Sequence, residues 1–228
     1  MHLHEFLGFS RVFIVHSKRN FIPSSCVILA IPLTSKNKMA YEEDSVRWQK
    51  ISSRLVNLRK TDNDEFFTNI NVILDELNSL DYSSRIVSEN ENALQVLTKC
   101  CSLIPGNGTN DLLATKLCQL IVNLLSRQKV IVNQTVCDSL LEFLTGSIQC
   151  CQKWALINHL QALDAVFFEN GAQCIKFADK LLAPSPEGLL TGLINGAGWD
   201  IEVRIKAVIC VGNICNKYVT GIQCTIVL

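Results

Sequence analysis

The chain reads as an all-α protein, an α-solenoid of stacked helix pairs, and three observations predict this. Apolar residues recur at helical spacing in one segment after another, and no segment alternates with the period of a strand over a useful length. The helical segments also repeat: Leu140, Leu141 and Leu144 recur as Leu189, Leu190 and Leu193 at an offset of 49, and Gly171 recurs as Gly221 at an offset of 50. Helix pairs repeating at about 40 to 50 residues mark arrays in which no pair buries its own faces and each stacks on its neighbours. A helical bundle has no reason to repeat.

The segment 1–38 stands apart. It holds three of the four histidines and two of the five prolines, with five Lys or Arg against one Glu. Its apolar run CVILAIPL is too short for a membrane helix, which needs about 20 residues. Pro32 also interrupts it. No A-x-A-like site follows it, although a signal peptide or a basic presequence stays open as an alternative. The preferred division is a leader, 1–38, disordered or artefactual, and a helical repeat segment, 39–228, opening at MAYEEDSVRWQK.

The elements follow in order. SVRWQKISSRLVNL puts Val46, Ile51, Leu55 and Leu58 on one side. Asp62 or Asn63 caps FFTNINVILDELNSL, in which Phe66, Phe67, Ile70, Ile73, Leu74 and Leu77 follow the helical period. Ser88 and Glu91 form a capping box ahead of Ala93, Leu94, Val96 and Leu97, and that helix stops near Pro105-Gly106. The turn PGNGTND, with a Thr or Asn cap, leads into LLATKLCQLIVNLLSR, whose Leu113, Leu117, Leu120, Ile121 and Leu124 make a broad apolar face. VCDSLLEFLTGSIQCC, WALINHLQALDAVFFEN, AQCIKFADKLL and a short EGLLTGLIN continue the series. Trp154 and Trp199, each near a helix start, are expected to pin helix to helix, with an exposed interface anchor as the sharper alternative.

The last helix, WDIEVRIKAVICVGNICN, is apolar on almost every side. Val203, Ala207, Val211 and Ile214 form one stripe, and Ile201, Ile205, Val208 and Cys215 a second beside it, so both are expected to be buried between a hairpin partner and an adjacent repeat. Glu202 and Lys206 are left facing water four residues apart. Gly212 costs roughly 1 kcal/mol inside a helix and is expected where another backbone comes close. NKYVTGIQCTIVL follows without a polar capping unit, so an apolar surface is expected to lie open unless that tail folds back over it, and to drive a self-association that reflects truncation and is no biological oligomer.

Composition excludes more than it assigns. Apolar residues make up 48% and charged residues only 18%, and the 21 basic and 21 acidic side chains cancel. Removing the leader leaves 16 basic against 20 acidic, a net charge of −4 from Met39 onward, which suits a phosphate backbone poorly. The eleven cysteines include the adjacent pairs Cys100-Cys101 and Cys150-Cys151. On a helix such neighbouring side chains diverge by about 100° and cannot share an ion. The cysteines read as small apolar fillers in a reducing compartment, and the sequons at Asn107 and Asn133 are discounted with them. PGNGTND lacks the order of a phosphate loop, and Asp75 and Glu76 point apart. Neither a catalytic, a cofactor-binding nor a metal-ligating constellation is found, and no cofactor or small-molecule substrate is expected.

Asp200-x-Glu202-Val203-Arg204-x-x-Ala207 followed by Gly212-Asn213-Ile214 resembles the second-helix consensus of HEAT and armadillo repeats. That resemblance implies a structural repeat ladder of Asp200, Arg204 and Gly212, the acid and the arginine bridging neighbouring units. The order of LDELNSL, KLCQLIVNLLSRQKVIV and NHLQALDAVFFENGAQC is similar to the amino-terminal part of the HEAT-repeat-containing protein 6 family, from about Ser52 to Tyr218. Members of that family are much longer, which implies a segment truncated at its C-terminus. The resemblance carries no biochemical activity. The expected function is a non-enzymatic scaffold for protein–protein interaction, cytoplasmic or nuclear, with other proteins as partners and neither membrane nor nucleic acid among them. A nuclear-transport or nucleic-acid-associated adaptor is the alternative.

Overall fold

The computed structural model describes residues 35–61, 63–82, 93–128, 132–170, 175–183 and 188–218. Within them every regular element is a helix: α1 (Ser35–Asn57), α2 (Asp64–Asn78), α3 (Ala93–Leu103), α4 (Asp111–Gln128), α5 (Gln134–Cys150), α6 (Lys153–Asn170), a 3₁₀ turn (Ile175–Phe177) running into α7 (Ala178–Leu182), α8 (Leu189–Asn195) and α9 (Ile201–Tyr218). The all-α expectation holds. Helix α1 begins at Ser35, inside the expected leader, so the boundary drawn at Met39 falls within a helix. The capping box at Ser88 and Glu91 and the glycines at 171 and 221 lie outside the described residues.

Local chemistry explains several boundaries. Asn63, not Asp62, caps α2: its side chain accepts from the Phe66 amide at 2.9 Å. Asn110 does the same for α4 through the Leu113 amide at 3.1 Å, and Asn133 for α5 through the Val136 amide at 2.9 Å. Ahead of α4, Asn107 accepts from both the amide and the hydroxyl of Thr109, an Asx-type turn. Gly108 takes the left-handed backbone, φ 73, that this turn requires.

The helices touch in a simple order. Each packs on its sequence neighbour, α1 on α2, α3 on α4, α5 on α6 and α8 on α9. The first helices of the first three pairs also meet, α1 with α3 and α3 with α5, while α2, α4, α6 and α9 form a row in which each contacts the following one. A single apolar core runs through the described helices, from Trp48 at one end to Ile214 at the other. Trp48 and Tyr82 meet edge to face with centroids 6.0 Å apart. The Tyr82 hydroxyl donates to the Leu77 carbonyl at 2.7 Å.

Most predicted core residues are buried: Ile51 and Leu55 in α1, Phe66, Ile70, Ile73, Leu74 and Leu77 in α2, and all five named leucines and isoleucine of α4. Others are not. Val46 and Phe67 are exposed, the first on the far side of α1 and the second on the open side of α2. Helix α9 buries one stripe only. Val203, Ala207, Cys210, Val211 and Ile214 are covered, whereas Ile201, Ile205 and Val208 stand open to solvent. The helix covered on several sides is α6, which is held between α4, α5 and α9 and buries Ala155, Leu156, Leu160, Ala162, Leu163, Ala165, Val166 and Phe167.

Gly212 is a second correction. A Cβ there would meet nothing within 4 Å, so no described backbone approaches it. The close approach occurs elsewhere, where the Pro105-Gly106 turn lies against α5. A Cβ on Gly106 would collide with the Phe143 carbonyl oxygen, and one on Gly146 would sit 2.6 Å from the Gly106 carbonyl oxygen.

Candidate functional site

The starts of α2, α4 and α6 lie side by side along the row. The carboxylate of Asp111, at the first turn of α4, accepts from the Gln152 amide at 2.9 Å just before α6. Lys153, the first residue of α6, donates to the Gly198 carbonyl at 3.3 Å. Its ammonium also lies over the Trp199 ring, 5.4 Å from the centroid, which brings the approach to α9 alongside. In the first turn of each of α2, α4 and α6 one large apolar side chain faces outward: Phe67, 39% exposed, Leu112, 56%, and Trp154, 54%. Trp154 is therefore no helix pin; its indole donates to the Gln152 side chain at 3.0 Å.

Phe67 and Leu112 share one open groove of about 370 Å³, with Leu113 beside them and Asp64, Thr68, Asn71 and Asn110 as its polar walls. Its lining thus mixes apolar side chains with hydrogen-bonding groups.

Below the groove, polar side chains join successive helices of the row. Lys116 of α4 pairs with Asp75 at 2.6 Å and donates to Asn71 at 2.7 Å, both on α2. Asn78 donates to the Lys116 carbonyl at 2.9 Å, and Asn123 donates to Asn78 at 3.1 Å. Between α6 and α9, Asn213 donates to Asp164, and the Cys210 thiol reaches the Leu160 carbonyl at 3.4 Å. Burial pushes the Asp164 carboxyl above the usual carboxylate range, against the lowering effects of Asn213 and the Lys206 charge.

Sequence reasoning named other residues. Asp200 stands exposed just before α9, and its carbonyl accepts from the Arg204 amide at 3.2 Å. Arg204 donates through Nε to the Ile194 carbonyl at 2.8 Å, near the end of α8, inside its own helix pair. Gly212 lies two turns further on and open. The structure does not bring the three together. The joints it does build, Asn71 with Lys116 and Asn78 with Asn123 at 45 residues and Asp164 with Asn213 at 49, sit near the same offset as the leucine repeat. Polar residues recurring at that offset within apolar helices were the available signal.

The buried thiols offer little nucleophilic chemistry, whereas Cys150 stands exposed. Cys100, Cys118, Cys137 and Cys210 are buried, as small apolar fillers are expected to be. Burial pushes Cys100 up to about 12 and Cys151 to about 11, so both stay protonated at neutral pH. His159 is fully buried, and its Nδ1 lies 2.7 Å from the Ala155 carbonyl. That contact assigns the proton to Nδ1 and leaves Nε2 bare and without a partner. Among the described residues no group of three His, Cys, Asp or Glu side chains could hold a metal ion, and no helix is long and apolar enough to cross a membrane. No protein-family model matches the chain, and no solved structure matches it.

Proposed function

We propose that the chain is a non-enzymatic helical-repeat scaffold that binds a partner protein, and that its helix pairs are α-solenoid repeats of the HEAT and armadillo type. The order of helix contacts supports the repeat reading, because pairs related by 45 to 50 residues touch through equivalent positions. The observation that carries the function is the line of Phe67, Leu112 and Trp154 along the starts of three successive helices, with the groove between the first two. Large exposed apolar groups framed by polar side chains are what interfaces use as anchors.

The test is affinity capture from cell extract with the full chain as bait, beside a Phe67→Asp, Leu112→Asp double variant and with a nuclease-treated arm. Both positions are exposed, so the variant is expected to keep its helical spectrum. A protein retained by the parent, lost by the variant and indifferent to nuclease is the expected result. Equal capture by both baits would remove the groove from the argument, and capture abolished by nuclease would favour the nucleic-acid-associated adaptor.

A further inference from the structure

The dipeptide Asn-Gly occurs three times, at Asn107-Gly108, Asn170-Gly171 and Asn195-Gly196. In such a pair the amide nitrogen that follows the asparagine reaches the side-chain carboxamide carbon most freely, because glycine puts no Cβ in the way. The folded chain treats the three pairs differently. Asn170 ends α6 fully buried; its Oδ1 accepts from the Val132 amide at 2.8 Å and its Nδ2 donates to the Val166 carbonyl at 3.1 Å, so the carboxamide is held through both its atoms. Asn195 is exposed but ends α8, where the helical backbone tilts its side chain toward the N-terminus and away from the next amide. That next amide, of Gly196, is already committed to the Gly192 carbonyl at 3.0 Å. Asn107 stands exposed in the turn ahead of α4. Its Oδ1 accepts from the Thr109 amide at 3.3 Å and the Thr109 hydroxyl at 2.8 Å, which turns the carboxamide along the chain across Gly108. The Gly108 amide itself donates to no described group.

We propose that Asn107-Gly108 is a site of spontaneous deamidation, and that the fold selects it over the other two pairs. The Gly108 nitrogen attacks Cγ of Asn107 and gives up its proton. The Cγ–Nδ2 bond then breaks, ammonia leaves with that proton, and a cyclic imide closes. Water adds to one of the two imide carbonyls, and opening of the ring yields either aspartate or isoaspartate, in which the main chain runs through the side chain. Both Thr109 donors lie on the oxygen that carries negative charge while the tetrahedral carbon forms. The isoaspartyl product does not fit this turn. A Cβ on Gly106 would collide with the Phe143 carbonyl oxygen, and one on Gly108, at φ 73, would sit 2.8 Å from the Cys150 carbonyl oxygen. The turn therefore lies against α5 on both sides of Asn107, with no room for an added backbone methylene, and the modification loosens its seat.

The test is a time course on the full chain in warm, near-neutral, reducing buffer, with a second sample unfolded in urea. Peptide mapping by mass spectrometry reads amide-to-acid conversion at each of the three pairs, and enzymatic methylation of isoaspartyl groups identifies the isomer. In the folded chain, conversion at Asn107 is expected to run about ten-fold or more faster than at Asn170 and Asn195, a barrier difference of about 1.4 kcal/mol. In urea the three rates should converge, because the dipeptide is the same. Ion exchange separates the converted chain by its added negative charge, and that fraction should unfold at lower denaturant than the intact one. Conversion at Asn170 or Asn195 as fast as at Asn107 in the folded chain would overturn the proposal. So would an Asn107 slowed by folding as much as the other two, since the turn would then shield its amide.

Discussion

His159 shows how much one side chain can be made to do by its surroundings. It is enclosed in α6, donates from Nδ1 to Ala155 and has no partner for Nε2, so taking a second proton would place an uncompensated charge in the core. Burial accordingly pushes its pKa below the ordinary value of 6.5, against smaller opposing effects from the Ala155 carbonyl and the Asp111 charge. The unfolded chain therefore binds more protons than the folded one once pH falls below about 6.5, and stability present at neutral pH is lost on acidification toward the folded value. Denaturant midpoints measured from pH 7 down to pH 5 should fall, and the fall should shrink in His159→Gln; an unchanged slope would show that another group carries it. Asp164 acts in a lower window and with the opposite sign, because its folded pKa is raised and the folded state holds the extra proton. Two glycines make a matched pair of tests. Gly106→Ala forces a methyl into the Phe143 carbonyl. It should cost about 1 to 3 kcal/mol by overpacking, whereas Gly212→Ala fills open space in a helix and should gain up to about 1 kcal/mol. Equal effects in equilibrium unfolding would contradict both assignments. The sequence places Gly106 in a Pro-Gly turn and Gly212 inside a helix, but which of the two another backbone approaches is decided by the arrival of α5 against the Pro105 turn.

At the scale of the element, the helical period was legible and the choice of buried face was less so. Helix α2 and helix α4 each present one wide apolar stripe, and every residue expected inside is inside except Phe67, at the margin of its stripe. Helices α6 and α9 are apolar all round, and for such helices the sequence leaves open which side finds a neighbour, since that depends on distant parts of the chain. The two-sided burial expected of α9 belongs to α6, which has helices on both flanks of the row. Truncation should report this difference. Leu160 is buried in α6, and Ile205 is half exposed on the open side of α9. Leu160→Ala should cost about 2 to 5 kcal/mol, and Ile205→Ala about 0.5 kcal/mol or less. The joints between helices divide in the same manner. Asp164→Ala removes the acceptor of a partly buried bond and strands Asn213, whereas Arg204→Ala gives up one exposed bond to the Ile194 carbonyl. The first should cost about 1 to 3 kcal/mol and the second less. Thermal scans that rank Arg204→Ala as the more damaging of the two would restore the weight the repeat consensus puts on it.

For the molecule as a whole, the all-helical class was readable because period, caps and turn residues agree along the chain. The surface was not readable to the same degree. The sequence allows Trp154 as a pin or an anchor, and nothing in its own neighbourhood decides the matter; the tie between Asp111 and Gln152, which sets the start of α6 against the start of α4, leaves it outward. The long-range bonds described above span 38 to 50 residues, one helix pair to the next, and this has a mechanical consequence. In the proposed repeat arrangement, tension applied between Ser35 and Tyr218 passes through each interface in turn, so the pairs carry load in series. The softest joint yields first and lengthens the chain while the others keep their structure, and the array stretches by steps instead of failing at once.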